Sequence, residues 1–334
     1  MYKSKIEFLI LILTIMVLLI SSVITSTAQE KFIMKVAHCM GGTPDVPHYY
    51  VARNLKDRIE SLTDGRIEVQ LFPSNTLGQD REVMEGAMNG TIEMGWPASA
   101  VLATVVPEVG VLDLPYIFKD VDHCFRVLDG AVGDELASLC LAKGIRIGGW
   151  GFAGARHIMT TKKPINTLGD IKGLKIRVME SPVYIAMLDA WGAIPTPLSW
   201  GEVYLGLTQG LVVGQETTIN AALEAKHFDS IKYVALTSEI LSARPLIISE
   251  IWFQKLPIDL QEAVLTATKE ATLQMREEII KFEDDYKKRT ETEYNVAYTQ
   301  PDLEPWIEVT RSIYPKFVDL VGGQEIIDKV LAIE

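Results

Sequence analysis

The 334-residue chain sets 32 lysine and arginine residues against 44 aspartate and glutamate residues, a formal charge of −12, and 48% of its residues are apolar. That acidity opposes nucleic-acid binding, which needs Lys and Arg to displace phosphate counterions, and it opposes tight association with an anionic bilayer. Length and apolar content suffice for two domains with separate cores, whereas three cysteines exclude a disulfide-stapled scaffold.

At the N-terminus, Lys3 and Lys5 precede an apolar run from Phe8 to Ile20, followed by Ser21, Ser22 and the small residues Ser26-Thr27-Ala28. This pattern predicts a secretory signal peptide over residues 1–28, cleaved after about Ala28, and an exported, periplasmic protein. The alternative is an uncleaved N-terminal anchor. Residues 1–28 hold two lysines and one glutamate, so the mature chain carries −13. An anionic ligand would then need a local positive pocket inside a negative field. Cys39 lies too far along for a lipoprotein anchor. At most one disulfide can form among Cys39, Cys124 and Cys140, and buried apolar cysteine is the better reading for the last two.

Beyond the signal, strand-like and helical segments alternate, the pattern of an α/β protein with mostly parallel sheets. Phe32–Ala37 reads as a strand, His48–Ser61 as a helix, Arg66–Phe72 as a strand, Gln79–Asn89 as a helix and Ile92–Trp96 as a short strand. Residues after Phe118 read as helical through Lys143. The glycine-rich stretch Ile145–Gly154 suits a chain crossing between domains, where hinge residues absorb backbone rotation. The alternation then restarts with strands Arg156–Thr160 and Lys175–Met179, helices Pro182–Trp191 and Gly201–Thr208, strand Gly214–Thr217 and helix Ile219–His227. Arg244–Ser249 is a further strand and a second crossing. From Asp259 to Tyr294, apolar residues at three- and four-residue intervals predict one long helix, on the order of 50 Å at 1.5 Å per residue, able to brace both domains. Two helices broken near Glu277 are the alternative. The tail from Pro301 reads as amphipathic helix.

In Lys175–Met179, strand parity puts Leu174, Ile176 and Val178 on one face and Lys175, Arg177 and Met179 on the other. Ser181 is expected to cap the next helix, with Pro182 at its first position. Arg177 then sits near the carboxyl end of its strand, where open α/β sheets bind ligands. Its planar fork can hold a carboxylate bidentately; a structural ion pair to an Asp or Glu is an equal reading. Arg156, placed just after the crossing, reads either as a cleft residue or as a solvated arginine. Trp200, Trp150 and Trp96 read as aromatic wall or core. The five histidines lack metal-ligand spacing, and no nucleophile elbow, Walker loop or dinucleotide fingerprint is present, so no metal, cofactor or enzymatic activity is expected.

The ordered segments Phe72-Pro-Ser-Asn-Thr-Leu-Gly-Gln-Asp-Arg-Glu, Asp113-Leu-Pro-Tyr-Ile-Phe, Asp170-Ile-Lys-Gly-Leu-Lys-Ile-Arg-Val, Pro195-Thr-Pro-Leu-Ser-Trp-Gly-Glu-Val-Tyr-Leu-Gly-Leu and Gly214-Gln-Glu resemble the DctP-type solute-binding proteins of TRAP (tripartite ATP-independent periplasmic) transporters. The resemblance spans essentially the whole mature chain. It implies a class II-like, two-lobed periplasmic-binding-protein fold with hinge strands crossing between lobes and a long helix spanning both. Lobe I would comprise residues 29–153 plus about 244–282, and lobe II residues 154–243 plus about 283–334. It further implies capture of a small organic carboxylate for the membrane subunits of a TRAP transporter, by a receptor expected to act as a monomer; a sensor presenting its closed form to a membrane receptor is the alternative. In the family's terms Arg177 clamps the carboxylate, Arg156 is the second arginine, Trp200 the stacking aromatic and Thr217 the position often held by asparagine. Trp96, Asp80 and His38 complete the candidate ligand-binding set. Thr217, Phe152–Ala155 and Pro97–Ser99 depart from more polar family patterns, which predicts a less hydroxylated acid than a sialic or hexuronic acid.

Overall fold

The computed structural model describes residues 30–41 and 47–334; the expected signal peptide and its cleavage point lie outside the described residues. The chain opens with β1 (Phe32–Ala37), α1 (Pro47–Leu62), β2 (Ile67–Phe72), α2 (Asp80–Asn89) and β3 (Met94–Gly95). This is the expected βαβαβ unit, because β1 runs parallel to both β2 and β3. After α3 (Ser99–Leu102), the stretch expected to be helical to Lys143 divides into α4 (Val121–Leu128) and α5 (Ala131–Leu141). Gly133 lets the two meet closely: a Cβ there would lie 1.9 Å from the Leu128 carbonyl oxygen.

The two strands expected at 145–154 and 156–160 are one, the 16-residue β4 (Ile145–Thr160). Arg156 is therefore inside a strand rather than at its start. Register shifts between Ile147 and Gly149 and between Phe152 and Ala155 interrupt its pairing, and Gly154 takes a φ of 106° at the second shift, which a side chain would resist. Next come β5 (Lys175–Val178), α6 (Pro182–Ala190), β6 (Ile194–Pro197), α7 (Trp200–Thr208), β7 (Gly214–Thr218) and α8 (Ile219–Glu224). Ser181 stands at the start of α6, but its side chain makes no capping hydrogen bond; Pro182 at the first position, with its preset φ, defines that end. Sequence reading missed β6, since Pro195 and Pro197 argue against a strand; they are tolerated because β6 ends the sheet order and so is an edge. The chain finishes with β8 (Tyr233–Ala235), β9 (Leu241–Ser249), α9 (Glu250–Phe253), α10 (Ile258–Tyr294), β10 (Ala297–Thr299), α11 (Glu304–Arg311) and α12 (Gln324–Leu331).

The sheet runs β2-β1-β3-β9-β4-β7-β5-β6, with β8 bridging β4 and β10. Its two halves are joined through β4, which pairs antiparallel with β9 from Ile145 to Ala155 and with β7 from Arg156 to Thr160. The 37-residue α10 spans both halves, unbroken near Glu277. Leu260, Val264, Ala267, Ala271, Met275 and Ile279 pack into the core of the first half, and Tyr286 into that of the second. Arg276 ties the helix down by donating to the Trp150 carbonyl at 2.9 and 2.6 Å and to Asp129 at 2.6 and 2.8 Å.

The glycines of β4 serve this contact. A Cβ on Gly149 would stand 2.5 Å from Thr272 Oγ1 and 2.8 Å from its methyl carbon. Gly149→Val is therefore expected to push α10 off the strand and to cost about 2 kcal/mol or more, an overpacking penalty readable by urea unfolding.

Candidate functional site

A cleft of about 870 Å3, part of it open to solvent, is lined by residues of both sheet halves. On one wall is Arg177. β5 exposes Lys175 and buries Ile176, Arg177 and Val178, so parity alone does not expose Arg177; it is 2% accessible. Its Nε and Nη2 donate to the Leu198 carbonyl at 3.1 and 2.8 Å. Its Nη1 is buried with no partner. Among the described residues no carboxylate pairs with it, so the structural ion pair is absent. Burial pulls its pKa down to about 10, with Glu216 opposing that shift and Arg156 adding to it. Trp200 lies beside it, the guanidinium carbon 5.6 Å from the ring centroid, and the ring's other neighbour is His227 at 4.8 Å.

Arg156 also lines the cleft, but its charge is already matched. Nε and Nη2 donate to the two oxygens of Glu216 at 2.5 and 2.9 Å, and Nη2 also reaches the Glu216 carbonyl at 3.0 Å. It is buried rather than solvated. Behind this pair, Asp113 accepts from Ser99 at 2.8 Å and from Tyr184 at 3.2 Å. Burial pushes the Asp113 carboxyl up to about 7, and burial followed by Glu216 pushes Glu239 up to about 8.

Both acids hold a proton in the folded state over a pH window where the unfolded chain, titrating near about 4, has lost it. Stability must fall as pH rises through that window. Asp113→Asn keeps the acceptor and removes the titration. It is expected to lose less stability than the parent between about pH 5 and about pH 8 in urea unfolding.

The opposite wall carries a cation that sequence reading missed. Arg244 donates from Nε to the Trp96 carbonyl and from Nη2 to Cys39 Sγ, both at 3.0 Å, and lies 3.7 Å from Asp80 Oδ2. Asp80 accepts in turn from the Ala98 amide at 2.9 Å. The only signal in the sequence was position: Arg244 stands first in the stretch read as the second crossing, as Arg156 follows the stretch read as the first, whereas the structure sets both inside longer strands. Thr217 lines the cleft from β7. His38 and Trp96 do not; they pack on each other at 6.4 Å behind the wall. Burial first, then His48 and Arg244, push the His38 pKa down to about 3, so its ring is neutral. Cys39, Cys124 and Cys140 are free and buried, each thiol pushed up to about 12 chiefly by burial. Among the described residues no group of three or more His, Cys, Asp or Glu is placed to hold a metal ion.

Residues 38–319 match the DctP family, bacterial extracellular solute-binding protein, family 7. The chain belongs to that family. A solute-binding protein of Verminephrobacter eiseniae is 37% identical over 213 residues, 64% of this chain and 63% of that relative. The 2,3-diketo-L-gulonate-binding periplasmic protein YiaO of Escherichia coli is 34% identical over 67% of this chain and 68% of its own length. A TRAP periplasmic solute-binding protein of Polaromonas, solved with D-erythronate bound, superposes with a TM-score of 0.87 at 29% identity, covering 91% of this chain and 99% of that one. The two-lobed DctP fold is thus this chain's fold, and among the described residues no helix is long and apolar enough to cross a membrane.

Proposed function

We propose that the protein is the periplasmic receptor of a TRAP transporter, that it captures a small organic carboxylate between its lobes without transforming it, and that Arg177 is the anion clamp. One observation carries the assignment. A buried arginine with a free Nη1 and no acidic partner is costly unless something else supplies the anion, and here it faces a cleft. Arg156, held by Glu216, shapes the site beside it and lends field rather than a free fork. Trp200 forms the wall over the clamp.

The lobes follow the sheet halves: residues 29–153 with about 244–282, and 154–243 with about 283–334. The division within α10 between Ile279 and Tyr286 supports this, while the last helix reaches back to lobe I, where Val330 contacts His123 at 3.0 Å. Residues 1–28 are the export signal, cleaved after about Ala28, and the mature protein acts as a monomer that delivers its acid to the membrane subunits.

The acid carries few hydroxyls. Of the polar side chains on the cleft wall, Ser199 is bonded to Glu202 at 2.6 Å and Thr218 caps α8, and Asp80 is occupied by Ala98 and Arg244. Thr217 is left to serve a hydroxyl, with the charged Arg81 and Glu180 further along the lining, and a pocket with few neutral partners is poorly suited to offset desolvation of many hydroxyls. In a thermal-shift screen, simple oxo-, monohydroxy- or aromatic acids should raise the melting temperature most. A hexuronate or sialic acid giving the largest shift would overturn this reading of the ligand.

A further inference from the structure

Two contacts cross the cleft without using its cations. His48, in the first turn of α1, brings Nδ1 to 3.6 Å from Glu224 Oε1 at the end of α8, with side chains only 2% and 6% exposed. Both imidazole nitrogens and both carboxylate oxygens are buried without a hydrogen-bond partner, so the 3.6 Å approach to the other is the nearest polar contact recorded for each. His38 faces His48 from the end of β1, while Arg244 and Tyr286 face Glu224 from β9 and α10. The second contact is made by Gln79, which precedes α2 and whose Oε1 accepts from the Gly201 amide at 3.3 Å in the first turn of α7. A Cβ on Gly201 would lie 2.6 Å from Gln79 Nε2. Position 201 thus has room for glycine because a side chain from the other sheet half occupies the space.

Each contact joins the β1–β3 half to the β5–β7 half, and each exists only while the halves are together. Apart, His48 and Glu224 would be solvated separately. Together they are desolvated, and loss of one partner would leave the other's buried polar atoms without a counterpart, so the joined state depends on both. We propose that His48–Glu224 and Gln79–Gly201 form a latch that holds the lobes closed independently of the ligand and sets how long a captured acid is retained. This rests on the reading of the protein as a receptor whose lobes open and close; His48 and Gln79 also line the cleft, so their effect on lobe position is read in the absence of ligand.

Spin labels at Asp57→Cys on α1 and Leu205→Cys on α7, both exposed, report the distance between lobes by pulsed EPR in protein freed of ligand. Glu224→Gln, His48→Gln and Gly201→Ala should each lower the ratio of short to long distances by about fivefold, the low end of coupling between conformational states. The double variant His48→Gln/Glu224→Gln, which replaces both groups by neutral amides able to bond each other, should return to within about twofold of the parent. Single variants with the parent's distances, or a double variant no better than the singles, would overturn the latch. A parent that retains no acid when purified natively would refute the receptor reading instead, and leaves the distance result to stand or fall alone.

Discussion

Replacing Arg177 by methionine is expected to abolish acid capture while leaving the ligand-free protein at least as stable as the parent. The side chain is 2% exposed, its Nη1 has no partner, and burial is the largest influence on its protonation. Without ligand it is a desolvated cation that no acid among the described residues pairs with directly, and Glu216 offsets only part of the burial. Methionine fills similar volume without that cost, so unfolding of the empty variant should need as much urea or more. Affinity moves the other way. Removing one partner of a buried, bidentate charge pair costs roughly 2–5 kcal/mol, so calorimetry with whichever acid the native protein retains should record a loss of at least about 30-fold. Arg177→Lys should recover little. One ammonium cannot both satisfy the Leu198 carbonyl through two nitrogens and present a fork to a carboxylate. A methionine variant that unfolds more readily than the parent would mean that Arg177 is structural.

Glu216→Ala should have the opposite signature, a large loss of stability. Glu216 is fully buried and meets Arg156 through both oxygens. Its removal leaves the Arg156 guanidinium in an apolar interior against Tyr184, 5.2 Å from the ring centroid, with only raised-pKa acids nearby. Breaking such a pair from one side costs about 3–5 kcal/mol, whereas replacing both partners together by Met and Leu should cost much less. Urea unfolding of the single and double variants distinguishes the two. If Glu216→Ala costs no more than the double variant, Arg156 finds another anion, and its charge is freer for ligand than the geometry allows.

Much of this site was legible because it is local. Strand alternation and the Ser181-Pro182 helix start drew Arg177 to the crevice from its neighbouring residues, but left clamp and ion pair even, and only the family resemblance favoured the clamp. The long helix was legible for the same reason: its apolar spacing persists through Ile279 and Tyr286 without a glycine or proline. What escaped is non-local or masked. Arg156 resembled a solvated strand start until Glu216, 60 residues away, was placed beside it. Arg244 gains its position from Cys39, Asp80 and Trp96, which no periodicity links to it. In β4 the glycines suggested a break between two strands; they instead allow α10 to approach one continuous strand. His38 and Trp96 stand among the sequence's candidates, yet their side chains are buried against each other away from the cleft, a turn into the core that sequence position does not reveal.

The account turns on whether Arg177 holds a carboxylate. Native mass spectrometry of the parent and of Arg177→Met, exported from the same cells and purified side by side without refolding, puts the question whatever the acid is. The parent should carry one additional small mass matching an organic acid, and the variant should carry none. The same mass on both proteins would contradict the assignment of Arg177 as the clamp.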